Sequence, residues 1–137
     1  MNTKLPLPVE INLTTATERA MRVRRLYQKL EEQNHKGLWT TEEDMLAFTT
    51  DVGALGRLVM AAEDRWVHDG DVHTELKGKL AECLWWVLVL SDRLGIDITE
   101  AFTSFMDKLD TDLTISVPGV GASSPSGIAV RDEKQKT

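Results

Sequence analysis

The chain reads as an all-α protein of four helices. Apolar residues recur at helical spacing along four stretches. Thr-x-x-Glu capping signals open two of those stretches. No two segments form a convincing strand pair, since Ile115–Val117 is too short to change the class.

The first helix is expected from a capping box of Thr15 and Glu18. Its stripe is Ala16, Ala20, Val23, Tyr27 and Leu30, and it ends near Asn34, before Gly37. Arg22, Arg25 and Lys29 line another side and read as a solvated face, with phosphate contact second. The second helix opens at Thr40, with Glu43 completing a capping box. Met45, Phe48, Val52, Leu55, Val59 and Ala62 mark its expected buried stripe. Gly53 and Gly56 lie inside it. Each costs about 1 kcal/mol against Ala, which points to close helix packing. Glu63 and Asp64 fall at its end as solvated acids.

The third helix runs from about His73 to Leu94, with Gly95 as its C-terminal cap. From Leu80 to Leu90 it is apolar almost all round apart from Glu82, so it is expected to be buried on several sides. Three other short helices would not cover it easily, and a homodimer or higher homo-oligomer would solve the problem. The fourth helix is capped by Asp97 and Glu100, or by Thr99 alone. Its stripe is Ala101, Phe102, Phe105, Met106 and Leu109, and it ends near Leu113.

Flanking segments complete the organisation. Residues 1–14 hold two prolines and read as an extended lead-in, residues 15–117 as the helical domain, and residues 118–137 as a flexible tail. The length of 137 residues predicts one domain. A net charge of -6 argues against nucleic acid as the main partner. The single cysteine, Cys83, excludes an intrachain disulfide and suits a reducing cytoplasm. It reads as a small core residue. No stretch reads as a signal peptide, and the apolar run Cys83–Leu90 is too short to span a membrane.

Two segments carry the chemistry. One is Asp51-Val-Gly-Ala54-Leu-Gly-Arg-Leu58 on helix two. The other is Lys79-Leu-Ala-Glu82-Cys-Leu-Trp-Trp on helix three, followed by Ser91-Asp-Arg-Leu-Gly-Ile-Asp-Ile98. Together they resemble the MazG-like family of the all-α nucleotide pyrophosphohydrolase superfamily. That family carries an E-V-G-E-L type segment, then an E-L-A-D-x-L-W type segment, then a G-I-D-(L/I) turn and a helix ending in Lys-Leu, here Lys108 and Leu109. The resemblance covers residues 39–112, and order and spacing make it more specific than any one motif.

The resemblance implies a four-helix bundle and Mg²⁺-dependent hydrolysis of a nucleoside triphosphate to monophosphate and pyrophosphate. Carboxylates at i and i+3 share a helix face. Two such pairs on facing helices would hold the metal, which neutralises the phosphates and can activate water. Here Asp51 stands for the first carboxylate, Ala54 for the second, Lys79 for the third and Glu82 for the fourth. The site charge therefore falls from -4 to about -1. Asp51 and Glu82 are the implied metal ligands and Glu82 the catalytic candidate. Lys79 competes with Mg²⁺ for Glu82.

Each residue also has a plainer reading. Asp51 also reads as a helix-surface acid or packing partner, and Lys79 and Glu82 as an ion pair at the helix edge. Lys79 could bind phosphate directly. Asp44, about 10 Å along the axis from Asp51, could supplement the pocket but fits an N-terminal-turn acid better. Trp39 is the better base-stacking candidate. Trp85 and Trp86 point about 100° apart and divide between core and oligomer interface. His35, His68 and His73 sit at or near loops and form no zinc pair. Two functions follow: a nucleoside triphosphate pyrophosphohydrolase, or an eroded helical oligomer that binds a nucleotide or a protein partner.

Overall fold

A computed structural model describes residues 11–34 and 37–119. Most of the expected lead-in, His35 and residues 120–137 of the expected tail lie outside the described residues. The described chain is all-helical, in four α-helices: α1 Leu13–Gln33, α2 Thr41–Ala62, α3 Val72–Arg93 and α4 Ile98–Ser116. The chain divides into two compact units, the first ending at Ala101 and the second beginning at Phe102.

Helix boundaries follow from capping. The expected Thr40–Glu43 box opens α2: the Thr40 hydroxyl accepts from the Glu43 N–H at 3.2 Å, and the Glu43 carboxylate accepts from the Thr40 N–H at 3.3 Å. The α1 start differs from expectation. Asn12 is the N-cap, its side chain accepting from Thr15 N–H at 2.9 Å, while the Thr15 hydroxyl accepts from Asn12 N–H at 2.9 Å. Thr15 occupies the third helical position rather than the cap, because Asn12, three residues upstream, supplies the cap and makes the capping box with Thr15 itself. Asp71 caps α3 through Thr74 N–H at 3.2 Å.

Two helices end in the same left-handed turn. After α3, Gly95 adopts φ 69°, its N–H reaching Asp92 O and the Ile96 N–H reaching Ser91 O. After α2 the same pair of bonds runs from Asp64 to Ala61 and from Arg65 to Met60, with Asp64 at φ 56°. Asp tolerates that region better than most non-glycine residues. Beyond it, the Arg57 guanidinium lies 3.9 Å over the Trp66 ring, and His68 pairs with Glu75. The first α4 turn is capped by Asp97, whose carboxylate accepts from Glu100 N–H at 3.1 Å.

In the first unit, α3 is the common partner: α1 and α2 both pack on it. Its buried residues are Trp86, Leu88, Val89 and Ser91. They meet Ala20 of α1 and Leu58 and Ala61 of α2 to form a small apolar core. The expectation that α3 is covered on several sides holds only in part, since Leu80 and Leu84 remain about half exposed.

The packed faces of α1 and α2 are rotated from the expected stripes. On α2, the rows Asp44–Asp51–Leu58 and Ala47–Ala54–Ala61 are buried or half-buried. The expected row Met45–Val52–Val59 faces outward. Gly53 and Gly56 meet nothing within 4 Å. Among the described residues, the close packing expected of them is therefore absent. On α1, the packed face centres on Ala20 and Arg24, leaving Val23, Tyr27 and Leu30 exposed. The physical reason is common to both helices. Charged residues on the inner rows find partners across the helix interface, which offsets their desolvation. By length and composition alone, α2 is long and apolar enough to cross a membrane.

From Phe102 on, the second unit consists, among the described residues, of the rest of α4 and the turn 117–119. Its apolar residues Phe102, Phe105, Met106, Leu109 and Leu113 recur at helical spacing. The helix runs three residues past the expected end, where the Ser116 hydroxyl donates back to Asp112 O at 2.8 Å.

Candidate functional site

Asp51, Lys79, Glu82 and Trp86 converge where α2 crosses α3. The i,i+3 spacing of Lys79 and Glu82 puts both on one side of α3, and the inward row of α2 delivers Asp51 to them. The Lys79 ammonium donates to Asp51 Oδ1 at 3.0 Å and to Glu82 Oε2 at 2.7 Å. The Trp86 indole N–H donates to Asp51 Oδ2 at 2.7 Å. Both Asp51 oxygens thus already have a donor. Ala54 lies on the packed side of α2, where a methyl group brings no ligand.

Titration follows from this geometry. Burial pushes the Asp51 carboxyl up, but the Trp86 and Lys79 hydrogen bonds and the Lys79 charge together outweigh it and hold the group below its ordinary range. Hydrogen bonds to Glu82 and then Asp51 hold the Lys79 ammonium above its ordinary range, against a smaller desolvation effect. Lysine and aspartate therefore stay ionised at neutral pH. Burial, then the Asp51 charge, push the Cys83 thiol up, so it is a poor nucleophile.

These residues do not fit a magnesium centre as they stand. The position between the two carboxylates is taken by an ammonium. Among the described residues, no group of three or more His, Cys, Asp or Glu side chains could hold a metal ion. Lys79 directs its ammonium at two acids, the paired reading of the two given for it.

A pocket of about 460 Å³ opens beside this cluster, lined in part by Tyr27, Trp39, Trp85 and Trp86 with Glu82 on its wall. The Trp39 and Trp86 rings are parallel within 3°, their centroids 6.5 Å apart. Trp85 tilts against Trp86 at 4.5 Å and against Tyr27 at 5.8 Å. Trp85 and Trp86 both line this pocket, and of the two it is Trp86 that is buried in the core, while Trp85 is half-buried. The Trp85 N–H reaches Ala20 O of α1 at 3.4 Å.

Trp39 is held from its backbone. Glu31 accepts from its N–H at 3.2 Å, and Arg93 donates to its carbonyl at 2.9 Å. Behind it lies an ionic network that the sequence reading missed. Asp44 is fully buried, paired with Arg93 at 2.6 Å and Arg24 at 3.5 Å, and Arg24 pairs with Glu31 at 2.8 Å. Asp44 lies in the first turn of α2, as expected, and is in addition an interhelix anchor. Its position two turns before Asp51 was a visible signal. Its arginine partners lie on two other helices and carried none.

No family model, curated protein or solved structure matches the chain, so the MazG-like resemblance rests on the residues quoted above.

Proposed function

We propose that this is a MazG-like helical protein whose metal site has been replaced by an internal ion pair, and that it binds a nucleotide-class ligand without metal-dependent hydrolysis. The observation that carries this reading is Lys79 between Asp51 and Glu82. A divalent cation bound there would face an ammonium at the distance of its own ligands, with two acids where the family pattern has four. The aromatic pocket beside the cluster supplies the surface for a base.

The hydrolase alternative would need Lys79 to swing out and Mg²⁺ to bind Asp51, Glu82 and the triphosphate together. Glu82, with its side chain 44% exposed, is the one group free enough to take part. A pyrophosphate-release screen across the nucleoside triphosphates with Mg²⁺ separates the two. The proposal expects no turnover, and no heat from Mg²⁺ in calorimetry. It expects Ala54→Glu with Lys79→Glu to create Mg²⁺ binding. Turnover in the parent that Glu82→Gln abolishes would overturn it.

The same reading includes self-association. The outward α2 row Met45–Val52–Val59 and the open glycines Gly53 and Gly56 give a second helix an apolar, closely approachable face. Chain mass in solution should be a multiple of 15.4 kDa, and a clean monomer would remove this part.

A further inference from the structure

Resting on the proposed nucleotide-class ligand, we infer that the pocket selects the base and not the phosphates: its preferred ligand is an uncharged nucleoside or free base, and each added phosphate weakens binding. The family resemblance alone would place the emphasis on a triphosphate. The chemistry of this pocket places it on a planar aromatic ring.

The geometry supplies two parallel aromatic faces. Trp86 is 7% exposed and forms the inner wall, with its N–H fixed by Asp51. Trp39 is 39% exposed and forms the outer wall, with its backbone held on both sides by Glu31 and Arg93. A ring stacking here meets a Trp86 indole held by Asp51 and a Trp39 whose backbone is anchored, so less ordering entropy is lost on binding. Asn34, on the pocket rim, carries an amide that can both donate and accept. Glu82 faces the same space as an acceptor for the N–H groups of a base.

The electrostatics oppose phosphate. Among the described residues, Arg24 is the one cation lining the pocket, against two acids, Glu31 and Glu82. Its charge is balanced by Glu31 and Asp44 and it is 2% exposed, although its Nε and Nη2 have no hydrogen-bond partner among the described residues. The nearby Lys79 is spent on Asp51 and Glu82. Among the described residues, no uncompensated cation remains in this cluster to receive an anion, and the chain as a whole carries -6. An anionic tail would have to approach Glu82 in a medium that screens charge less than water does.

Quenching of tryptophan fluorescence tests this directly on the full chain. The probes are the ribonucleosides and deoxynucleosides of the common bases, with their mono- and triphosphates, with and without Mg²⁺. At least one nucleoside should quench saturably and bind about tenfold or more tighter than its own triphosphate. Its affinity should not respond to Mg²⁺. Trp39→Ala should weaken binding by about fivefold to a hundredfold. Trp39→Phe should largely retain it, and Trp66→Ala, in the loop after α2, should leave it unchanged. A triphosphate that binds more tightly than its nucleoside would overturn the inference, as would Mg²⁺-enhanced affinity or the absence of binding by every nucleoside. Failure here is distinct from failure of the proposed function, which falls on pyrophosphate release. Triphosphate preference without turnover sinks the base-selective inference alone.

Discussion

Asp44 and Asp51 lie seven residues apart on the same face of α2, yet one is a structural anchor and the other belongs to a candidate site. Asp44 is fully buried between arginines from α1 and α3. Asp51 is partly open, shared between a lysine and an indole N–H at the edge of a pocket. The backbone positions are nearly equivalent, since seven residues bring a helix back within about 20° of the same direction. Solvent access and partner type make the difference. Two guanidiniums neutralise Asp44 in a closed space. A single ammonium holds Asp51 and Glu82 where water still reaches both.

The largest expected effect breaks the buried half of that comparison. Asp44→Ala leaves Arg24 and Arg93 without their shared acid. Removing one partner of a buried ion pair costs about 3–5 kcal/mol, a large share of a typical domain's stability. Urea unfolding should show the midpoint fall sharply. A loss below about 1 kcal/mol would mean that Asp44 behaves as a surface acid and that the two acids do not differ as described. The same network holds the Trp39 backbone, so Asp44→Asn, if it folds, should also change Trp39 fluorescence.

The second effect acts on the half-open cluster and carries a pH signature. Lys79→Met should cost about 1–2 kcal/mol, between exposed and buried pairs. The Asp51 carboxyl titrates below its ordinary range, so its contribution is present above the ordinary aspartate pKa of about 4 and is lost as pH falls through the lowered value. Lys79 titrates above its ordinary range. Its contribution is complete below about pH 10 and is lost as pH rises through the raised value. Lys79→Met should therefore remove the alkaline loss of stability and flatten the acid one. Thermal melts across the pH range check both arms. An unchanged alkaline arm would show that another group produces it.

The sequence made helix ends more legible than helix faces. Thr40 with Glu43 and Gly95 mark their boundaries through bonds made within five residues of chain, so spacing alone reveals them. The start of α1 slipped because Thr15 resembles a cap while serving as the partner of one, Asn12. Faces depend on what lies opposite. Met45, Val52 and Val59 make a better apolar stripe than Asp44, Asp51 and Leu58, yet the latter row is turned inward because Arg24, Arg93 and Lys79 meet it from other helices. The same logic divides the site. The Lys79–Glu82 contact was legible from their three-residue spacing. The Lys79–Asp51 contact spans 28 positions and needs the register of α2 on α3. The gathering of Trp39, Trp85 and Trp86 around one pocket was legible only as three separate rings.

The smallest expected effect fixes the low end of the scale on which Asp44 and Asp51 are compared. Lys108 and Asp112 form an i,i+4 pair at 2.8 Å on α4, with side chains 74% and 56% exposed. The distance matches the Lys79–Glu82 contact, so distance alone predicts equal worth. Burial predicts otherwise: exposed helix pairs contribute about 0.3–0.5 kcal/mol and are screened by salt. The order here also runs lysine before acid, the weaker orientation along a helix. Lys108→Ala should shift the urea midpoint barely beyond error, and the shift should vanish in high salt. Alanine is itself a good helix former and offsets part of the lost pair. A loss matching that of Lys79→Met would show that pair geometry, not solvent access, sets the value of these contacts, and the distinction between Asp44 and Asp51 would then have to rest on partner identity alone.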